Sequence, residues 1–329
     1  MAAPNALPLP LPLPRLWLAP MAGYTDTAMR RLCHRMGAEA SVSEMISAKA
    51  VVYRDRKTVS LGRTSPEEGP VLLQIFGHEP AVMAEAAGML AEGYCGSVPT
   101  GLDINMGCPV PKIAGNGEGS ALMRDPALCE EIVRATRAAL PSHLPLTVKL
   151  RLGWDSAHIS LFEVADAVLR GGASAIFVHG RTRTQMYAGE ADWAPIEALA
   201  ARCAVPVIGN GDITSAEGAL RRLRESGCHG VMIGRGAVGN PFLFREISAA
   251  LRGEPIPPPP TRRERVEVAL AHLRDAIADK GEGCAVRECR KQIAAYIHGM
   301  SGAAAVRAAV NAATTLREVE GVLLPLAED

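Results

Sequence analysis

The sequence has few aromatic residues, no net charge and no long apolar run. Phe, Trp and Tyr make up 4% of the 329 residues while 48% of the chain is hydrophobic, so an aliphatic core is expected. Because 35 Lys and Arg residues balance 35 Asp and Glu residues, the overall charge does not favour a polyanionic partner. No run of 18 apolar residues occurs, so no transmembrane helix is expected.

Paired cysteines and an export signal are also missing. None of the eight cysteines belongs to a C-x-x-C pair, so no metal site is expected and the thiols are predicted to be reduced. Residues 1–14 are rich in Leu and Pro, without the basic segment and continuous apolar stretch of a signal peptide. We therefore expect a Pro-rich tail over residues 1–14 and a cytoplasmic protein.

From residue 15 to residue 252, short β-rich segments alternate with amphipathic helical segments. One of the predicted helices covers residues 158–170. Eight such repeats match the length of a single (β/α)8 barrel. The strand segments are LWLA (16–19), SVSEM (41–45), PVLLQIFG (70–77), GLDINMG (101–107), LTVKLRL (146–152), SAIFVHG (174–180), VPVIGN (205–210) and HGVMIG (229–234).

An open doubly wound sheet is the alternative fold, because the strand pattern alone does not reveal closure. The positions of the polar residues favour the barrel, in which the carboxyl ends of all strands converge on one mouth. Nearly every strand segment has polar residues at or just beyond that end, namely Gln74, Asn105, Lys149, Arg151, His179, Asn210 and Arg235. The sequence therefore predicts a TIM barrel with its site at this mouth.

Beyond the barrel the composition changes. Residues 253–260 (GEPIPPPP) are predicted to be a Pro-rich linker. Residues 261–329 place Arg and Glu among Ala, Val and Leu at helical spacing, which predicts a small all-helical domain. Helical spacing also puts Arg287, Arg290 and Lys291 on one face, which is either a binding surface or an ordinary solvated one.

The segment VKLRL holds two cations on one side of a strand. Strand alternation directs Lys149 and Arg151 to the side opposite Val148 and Leu150, and therefore into the barrel mouth. A buried cation needs a compensating anion. An anionic cofactor is one candidate, and an ion pair with Glu44 or Asp103 is the other.

Two glycine-rich turns follow the last two strands. Residues 234–239 (GRGAVG) match the dinucleotide fingerprint, but no βαβ unit follows them, so a Rossmann site is not expected. Together with Asn210, Gly211 and Asp212, their backbone N–H groups can form a cradle for one phosphate group.

Cys108 lies just beyond the fourth strand, between Gly107 and Pro109. An unperturbed thiol has a pKa of about 8.5, so it is mostly protonated at neutral pH and can donate a proton. A neighbouring cation would instead favour a nucleophilic thiolate. A loop cysteine without a role is the remaining interpretation.

The chain resembles the tRNA-dihydrouridine synthase family of bacteria. The resemblance extends from about residue 18 to residue 246, and more loosely to the end of the chain. It rests on LAPMAGYTD (18–26), SEM (43–45), LLQIFG (72–77), DINMGCPVPK (103–112), VKLRLGW (148–154), VHGRTR (178–183), NGDI (210–213) and VMIGRGA (231–237). So many motifs in one order make a chance match very improbable.

The resemblance implies a cofactor, a substrate and roles for individual residues. Members of the family bind FMN in a barrel and reduce the C5=C6 bond of tRNA uridines, with NADPH as reductant (NADH being possible). It further implies that Cys108 is the proton donor, that Asn105, Arg151 and Tyr187 contact the substrate, and that residues 261–329 bind tRNA. The FMN contacts it implies are Pro20, Met21, Ala22, Gln74, Lys149, His179, Asn210, Gly211, Asp212, Gly234 and Arg235.

An FMN-dependent barrel reductase or dehydrogenase for a small molecule, of the dihydroorotate or ene-reductase type, is the alternative function. The helical domain over residues 261–329 favours the tRNA enzyme, because a small substrate does not require it. Arg287, Arg290 and Lys291 are the tRNA-contacting candidates in that domain, and a monomer is expected.

Overall fold

A computed structural model describes residues 13–328, so residues 1–12 of the predicted Pro-rich tail lie outside the described residues. Eight parallel strands form the centre of the molecule, and each overlaps one of the predicted strand segments. In chain order, the first to eighth barrel strands span Leu16–Leu18, Ala40–Val42, Val71–Phe76, Gly101–Asn105, Leu146–Leu150, Ala175–His179, Val207–Asn210 and Gly230–Ile233.

These strands close into a barrel. Trp17 in the first strand pairs with Met232 in the eighth strand and with Ala40 in the second. Ser41 in the second strand pairs with Val71 in the third, so each barrel strand has a neighbour on both sides. The predicted (β/α)8 barrel is confirmed, and the alternative of an open doubly wound sheet is wrong.

Helices connect the strands and cover the outside of the barrel. The helix predicted over residues 158–170 begins only at Leu161, because His158–Ile159 pairs with Gly153–Asp155 in an antiparallel hairpin. A two-residue strand, Ile46–Ser47, extends the sheet beside the third barrel strand. The α-helices span Thr27–Arg35, Ala48–Val52, Arg56–Leu61, Pro80–Ala91, Pro111–Ala114, Pro126–Ala139, Leu161–Gly171, Ala194–Arg202, Ala216–Ser226 and Phe242–Leu251.

Local signals explain where several of these helices begin and end. The side chains of Asp26 and Asp125 accept hydrogen bonds from backbone nitrogens in the first turns of their helices, which satisfies donors that the helix leaves free. Gly172 and Gly227 end two helices with φ of +102° and +63°. Glycine adopts this left-handed conformation without the steric cost of a Cβ atom.

Strand alternation divides the apolar core into two layers. The outward residues, such as Val148 and Leu150, pack against the surrounding helices. The inward residues fill the lower part of the barrel, where the rings of Trp17 and Phe177 meet edge to face with centroids 5.0 Å apart. Nearer the carboxyl ends the inward residues are polar, and the site is built there.

Residues 254–261 contain neither helix nor strand and lead to four further helices, Arg262–Lys280, Glu282–Tyr296, Ala303–Ala312 and Leu316–Leu323. These C-terminal helices share an apolar core that includes Ala28 of the first barrel helix. Three ion pairs join them to that side of the barrel: Asp26–Lys280 at 2.6 Å, Arg31–Asp279 at 2.7 Å and Arg35–Asp275 at 2.5 Å. None of the helices within residues 13–328 is long and apolar enough to cross a membrane.

Candidate active site

A cavity of 390 Å³ opens at the carboxyl ends of the barrel strands, a volume typical of small-molecule and cofactor sites. It brings together all of the site residues that the barrel sequence predicts. They are Pro20, Met21, Ala22, Gln74, Asn105, Cys108, Lys149, Arg151, His179, Tyr187, Asn210, Gly211, Asp212, Gly234 and Arg235.

A chain of buried hydrogen bonds crosses the third, fourth and fifth strands beneath this cavity. The carboxylate of Asp103 accepts hydrogen bonds from Thr147 Oγ1 at 2.5 Å and from Gln74 Nε2 at 2.7 Å. Gln74 Oε1 in turn accepts a hydrogen bond from Asn105 Nδ2 at 2.7 Å. Burial raises the pKa of Asp103 to about 6, while the two donors favour its charged form.

The end of this chain orients the cysteine loop. Asn105 Oδ1 accepts hydrogen bonds from the backbone nitrogens of Cys108 at 2.9 Å and Gly107 at 3.2 Å. The Cys108 thiol faces the cavity, and its burial raises its pKa despite the opposing effects of the Val110 backbone, Arg151 and Lys149. A thiol that stays protonated at neutral pH is suited to donating a proton, whereas the nucleophilic alternative requires a lowered pKa.

The two cations of the fifth strand reach the cavity as their alternation predicts. Lys149 Nζ donates to Asn210 Oδ1 at 3.2 Å, and burial, followed by the nearby Arg151, lowers its pKa to about 8. Within residues 13–328 neither cation has a carboxylate within ion-pair distance. Glu44 accepts from the Gly23 backbone, and Asp103 is held by the two donors described above. The mouth therefore has positive charge that an anionic ligand would complement.

Arg151 is almost fully buried and forms hydrogen bonds to two loops at the rim of the cavity. Its guanidinium donates to the backbone oxygens of Gly107 at 2.9 Å, Thr182 at 2.8 Å and Met186 at 2.9 Å. It also lies 5.7 Å from the centre of the Tyr187 ring, which is half exposed at the mouth. Arg151 thus joins the cysteine loop to the loop that follows the sixth strand.

Arg181 is a site residue that the sequence reasoning missed. Its buried guanidinium forms a two-point ion pair with Asp212, at 2.7 and 3.0 Å, which joins the loops after the sixth and seventh strands. The sequence pattern nevertheless indicates that Arg181 points into the barrel. Arg181 continues the inward alternation of Phe177 and His179, as Arg151 continues that of Lys149.

Arg181 also determines how His179 is protonated. Arg181 NH1 lies 3.3 Å from His179 Nε2, and a guanidinium can only donate, so Nε2 accepts and the ring proton is on Nδ1. Burial, followed by four surrounding cations, lowers the pKa of His179 far below its ordinary value. His179 is therefore a neutral ring that can donate one hydrogen bond.

The glycine turns after the seventh and eighth strands lie side by side on the opposite wall of the cavity. A Cβ at Gly236 would come within 2.3 Å of the Ile213 oxygen, so a larger residue would separate the two turns. Gly211 has a φ of +140°, and a Cβ there would lie 2.5 Å from Ala191 Cβ. Two turns held this closely can direct backbone N–H groups toward one phosphate.

Arg235 borders the same wall of the cavity. It pairs with Asp212 at 3.1 Å, and its guanidinium lies 4.7 Å from the centre of the Tyr187 ring. Tyr187 therefore contacts Arg235 as well as Arg151.

The three basic residues of the C-terminal helices lie outside this cavity and have different surroundings. Arg287 is exposed, whereas Arg290 donates to the Ala313 oxygen at 2.8 Å and is engaged within the C-terminal helices. Lys291 Nζ lies 4.2 Å from the centre of the Tyr24 ring, in a 740 Å³ groove between these helices and the barrel. Arg287 and Lys291 are therefore the members of the predicted set that are free to contact a partner.

A protonated thiol, two cations and a glycine cradle meet at the carboxyl mouth of this TIM barrel, which is where TIM-barrel enzymes have their active sites. The family model of the dihydrouridine synthases matches residues 17–328. The chain belongs to the dihydrouridine synthase family, a family of flavin-dependent oxidoreductases.

Individual relatives agree with this assignment. The chain is 37% identical over 335 residues to a probable tRNA-dihydrouridine synthase of Mycobacterium leprae, covering 93% of this chain and 86% of the relative. It is 40% identical over 304 residues to tRNA-dihydrouridine synthase B of Pseudomonas aeruginosa, covering 92% of this chain and 90% of the relative. The family resemblance of the motifs is thereby confirmed.

Solved structures agree on the barrel. Histamine dehydrogenase from Rhizobium sp. 4-9 superposes with a TM-score of 0.53 at 13% identity, covering 79% of this chain and 49% of that chain. An old yellow enzyme homologue from Zymomonas mobilis gives 0.50 at 13% identity, covering 74% of this chain and 90% of that one. At this identity the likeness concerns the fold alone.

Proposed function

We propose that this protein is a cytoplasmic enzyme that binds FMN and reduces the C5=C6 bond of uridines in tRNA to dihydrouridine, with NADPH as reductant. One observation carries the proposal: the partly buried Lys149 and the buried Arg151, without carboxylate partners among the described residues, face the cavity beside the protonated thiol of Cys108. The names of the relatives support tRNA uridine as the substrate.

The residues of the cavity fit FMN. The turns at Gly211 and Gly234 and the guanidinium of Arg235 would hold the phosphate, and Lys149 with Gln74 would hold the polar edge of the flavin ring. Pro20, Met21, Ala22, His179, Asn210 and Asp212 complete the proposed FMN contacts. The bound flavin, once reduced by NADPH, would supply the hydride that adds to C6 of uracil.

Cys108 supplies the other half of the reaction. Its Sγ–H bond breaks as the proton moves to C5 of uracil, leaving a thiolate that solvent reprotonates. Burial raises the pKa of Cys108 overall, while Lys149 and Arg151 oppose part of that rise. The same two cations therefore stabilise the thiolate once it forms. Asn105, through the backbone of Cys108, sets the direction from which this proton arrives.

A uridine within folded tRNA must leave its base stack to enter this cavity, at a cost of a few kcal/mol. Binding energy from outside the cavity has to offset that cost. We assign this role to the C-terminal helices, with Arg287 and Lys291 as phosphate-contacting side chains and Tyr187 and Arg151 at the entrance for the base.

The direct test incubates the purified FMN-loaded protein with NADPH and tRNA that lacks dihydrouridine. Dihydrouridine is then measured in the digested tRNA by mass spectrometry. We expect it to form at particular positions and only when NADPH is present. The proposal would be overturned if no dihydrouridine formed while the protein rapidly oxidised NADPH with unsaturated carbonyl compounds as electron acceptors. That result would favour a small-molecule reductase.

A further inference from the structure

Two arginines lie over one tryptophan ring on the rim of the barrel mouth. The guanidinium of Arg183 lies 4.6 Å from the centre of the Trp154 ring, and that of Arg124 lies 5.0 Å from it. Arg124 is exposed, whereas Trp154 and Arg183 are partly exposed. We call these three residues the rim cluster.

The hairpin after the fifth strand holds the rim cluster in place. Gly153, with a φ of +155°, begins the hairpin, and a Cβ there would lie 2.2 Å from the His158 oxygen. The backbone nitrogens of Arg183 and Thr184 donate to the oxygens of Gly153 and Trp154 at 2.9 and 3.0 Å. The loop that contains Arg183 is therefore tied to the hairpin that contains Trp154.

The charge of the rim cluster is not neutralised locally. Within residues 13–328, neither Arg124 nor Arg183 forms an ion pair with a carboxylate, and Arg183 Nε is buried without a hydrogen-bond partner. Asp125 and Asp155 follow Arg124 and Trp154 in the sequence; Asp125 accepts a hydrogen bond from the Leu128 backbone, and Asp155 accepts hydrogen bonds from Ala157 and His158. Guanidinium groups that stack on a ring keep their N–H edges available, and each has five donors.

The rim cluster and the C-terminal helices lie on opposite sides of the mouth. The hairpin follows the fifth strand, which is four places from the first strand in either direction around the closed sheet. The C-terminal helices pack against the helix that follows the first strand. A long ligand whose reacting group enters the mouth can therefore contact both surfaces.

The rim cluster also adjoins residues of the site. Arg124 ends the 3-10 segment Gly119–Arg124, in which the backbone nitrogen of Ser120 donates to the Cys108 oxygen at 3.1 Å. Arg183 follows Thr182, whose backbone oxygen accepts from Arg151. A ligand held by the rim cluster would thus be close to the entrance through which a base must pass.

We propose that Arg124 and Arg183, held by Trp154, bind phosphate groups of the RNA substrate on the side of the mouth opposite the C-terminal helices. This inference rests on the proposed function. Two guanidinium groups already lie over the indole ring, so the surface is suited to phosphates rather than to base stacking. It would anchor the strand beyond the flipped uridine without reading its sequence, because phosphate contacts carry no base information.

The test compares binding of unmodified tRNA by the FMN-loaded wild type and the R124A/R183A double variant at several salt concentrations. We expect the dissociation constant at ~50 mM salt to rise about tenfold, and the slope of log affinity against log salt to fall by about one for each arginine. NADPH oxidation by oxygen should be unchanged, because neither residue lines the cavity. The R124K/R183K variant should recover part of the affinity.

Arg222→Ala is the matched control. Arg222 also lies 5.0 Å from a tryptophan ring, that of Trp193, but in a groove of the outer wall together with Glu190 and Glu225. The Arg222→Ala variant should therefore have the same tRNA affinity as the wild type and the same slope of log affinity against log salt. An equal loss of affinity in R222A and R124A/R183A would overturn the inference, as would wild-type affinity in the double variant.

These results separate the inference from the proposed function. If wild-type protein neither binds tRNA nor forms dihydrouridine, the proposed function fails and the inference fails with it. If wild-type protein forms dihydrouridine and R124A/R183A binds tRNA equally well, only the inference is overturned. The single R124A variant tests whether misfolding of the double variant explains a loss of affinity. Arg124 is exposed, and its removal leaves the hairpin contacts of Arg183 intact.

Discussion

The side-chain oxygen of Asn105 accepts a hydrogen bond from the backbone nitrogen of Cys108 at 2.9 Å, and the side-chain nitrogen of Asn105 donates to Gln74. The resemblance to the family implied a substrate contact for Asn105. Most of its hydrogen-bonding capacity is instead used within the protein, so we infer that Asn105 chiefly positions the cysteine loop. A change at Asn105 should therefore act through Cys108.

The first prediction concerns this link. Asn105→Ala leaves the backbone nitrogens of Gly107 and Cys108 without their acceptor, so the thiol loses its fixed direction. We expect the single-turnover rate of uridine reduction to fall roughly 10- to 100-fold, because small misplacements of a reacting group are costly. The KM for tRNA should change much less. Asn311→Ala, at an exposed helical position, is the control, and a change in KM alone would contradict the prediction.

Replacement of the proposed proton donor gives a second prediction. Cys108→Ala should keep its flavin and its affinity for tRNA, since the backbone of the loop stays in place. Its rate of uridine reduction should drop by ~10²–10⁴-fold, the usual contribution of a positioned general acid. Cys284→Ala, in the C-terminal helices, should react at the wild-type rate. Loss of flavin from Cys108→Ala would instead indicate a structural role.

The charge of Lys149 makes the affinity for FMN dependent on pH. Burial lowers the pKa of Lys149 to about 8, so in the flavin-free protein the charged form prevails below this pH and is lost above it. FMN affinity, measured by flavin fluorescence quenching, should therefore weaken as the pH rises through about 8. Lys149→Met should bind FMN more weakly at pH 7 and lose most of this pH dependence. A wild-type affinity that is flat from pH 6 to 9 would refute this role.

The ion pair between Arg181 and Asp212 should stabilise the loops around the mouth. Arg181→Ala leaves the partly buried Asp212 with the backbone N–H of Ala191 and, as its one ion-pair partner within residues 13–328, the more distant Arg235. Because the Asp212 side chain is 32% exposed, we expect a loss in the free energy of unfolding of about 1–3 kcal/mol, less than for a fully buried pair. Denaturant unfolding measures it. Arg202→Ala, which removes an exposed pair with Asp166, should cost under about 1 kcal/mol.

Arg290 and Lys291 are neighbours in sequence and should behave differently. Arg290→Ala removes the donor to the Ala313 oxygen at the end of the helix Ala303–Ala312, so it should lower the melting temperature. Lys291→Ala removes an ammonium group in the groove beside Tyr24, so it should weaken tRNA binding with little change in melting temperature. The reverse result would show that Arg290 is the RNA contact.

Much of the barrel and of its site can be predicted from the sequence alone. Strand alternation has a period of two, so the positions of Val148 and Leu150 in the outer core direct Lys149 and Arg151 inward wherever the strand lies. The motifs also identify the family, which the family model over residues 17–328 and relatives at 37–40% identity confirm.

The tertiary structure alone decided which distant residues meet. Closure of the sheet, the pairing of Arg181 with Asp212, the engagement of Arg290 by Ala313 and the rim cluster around Trp154 each join segments separated in the chain. Local periodicity determines the side of an element on which a residue lies. It does not determine which element lies opposite, because that depends on how all the strands and helices pack together.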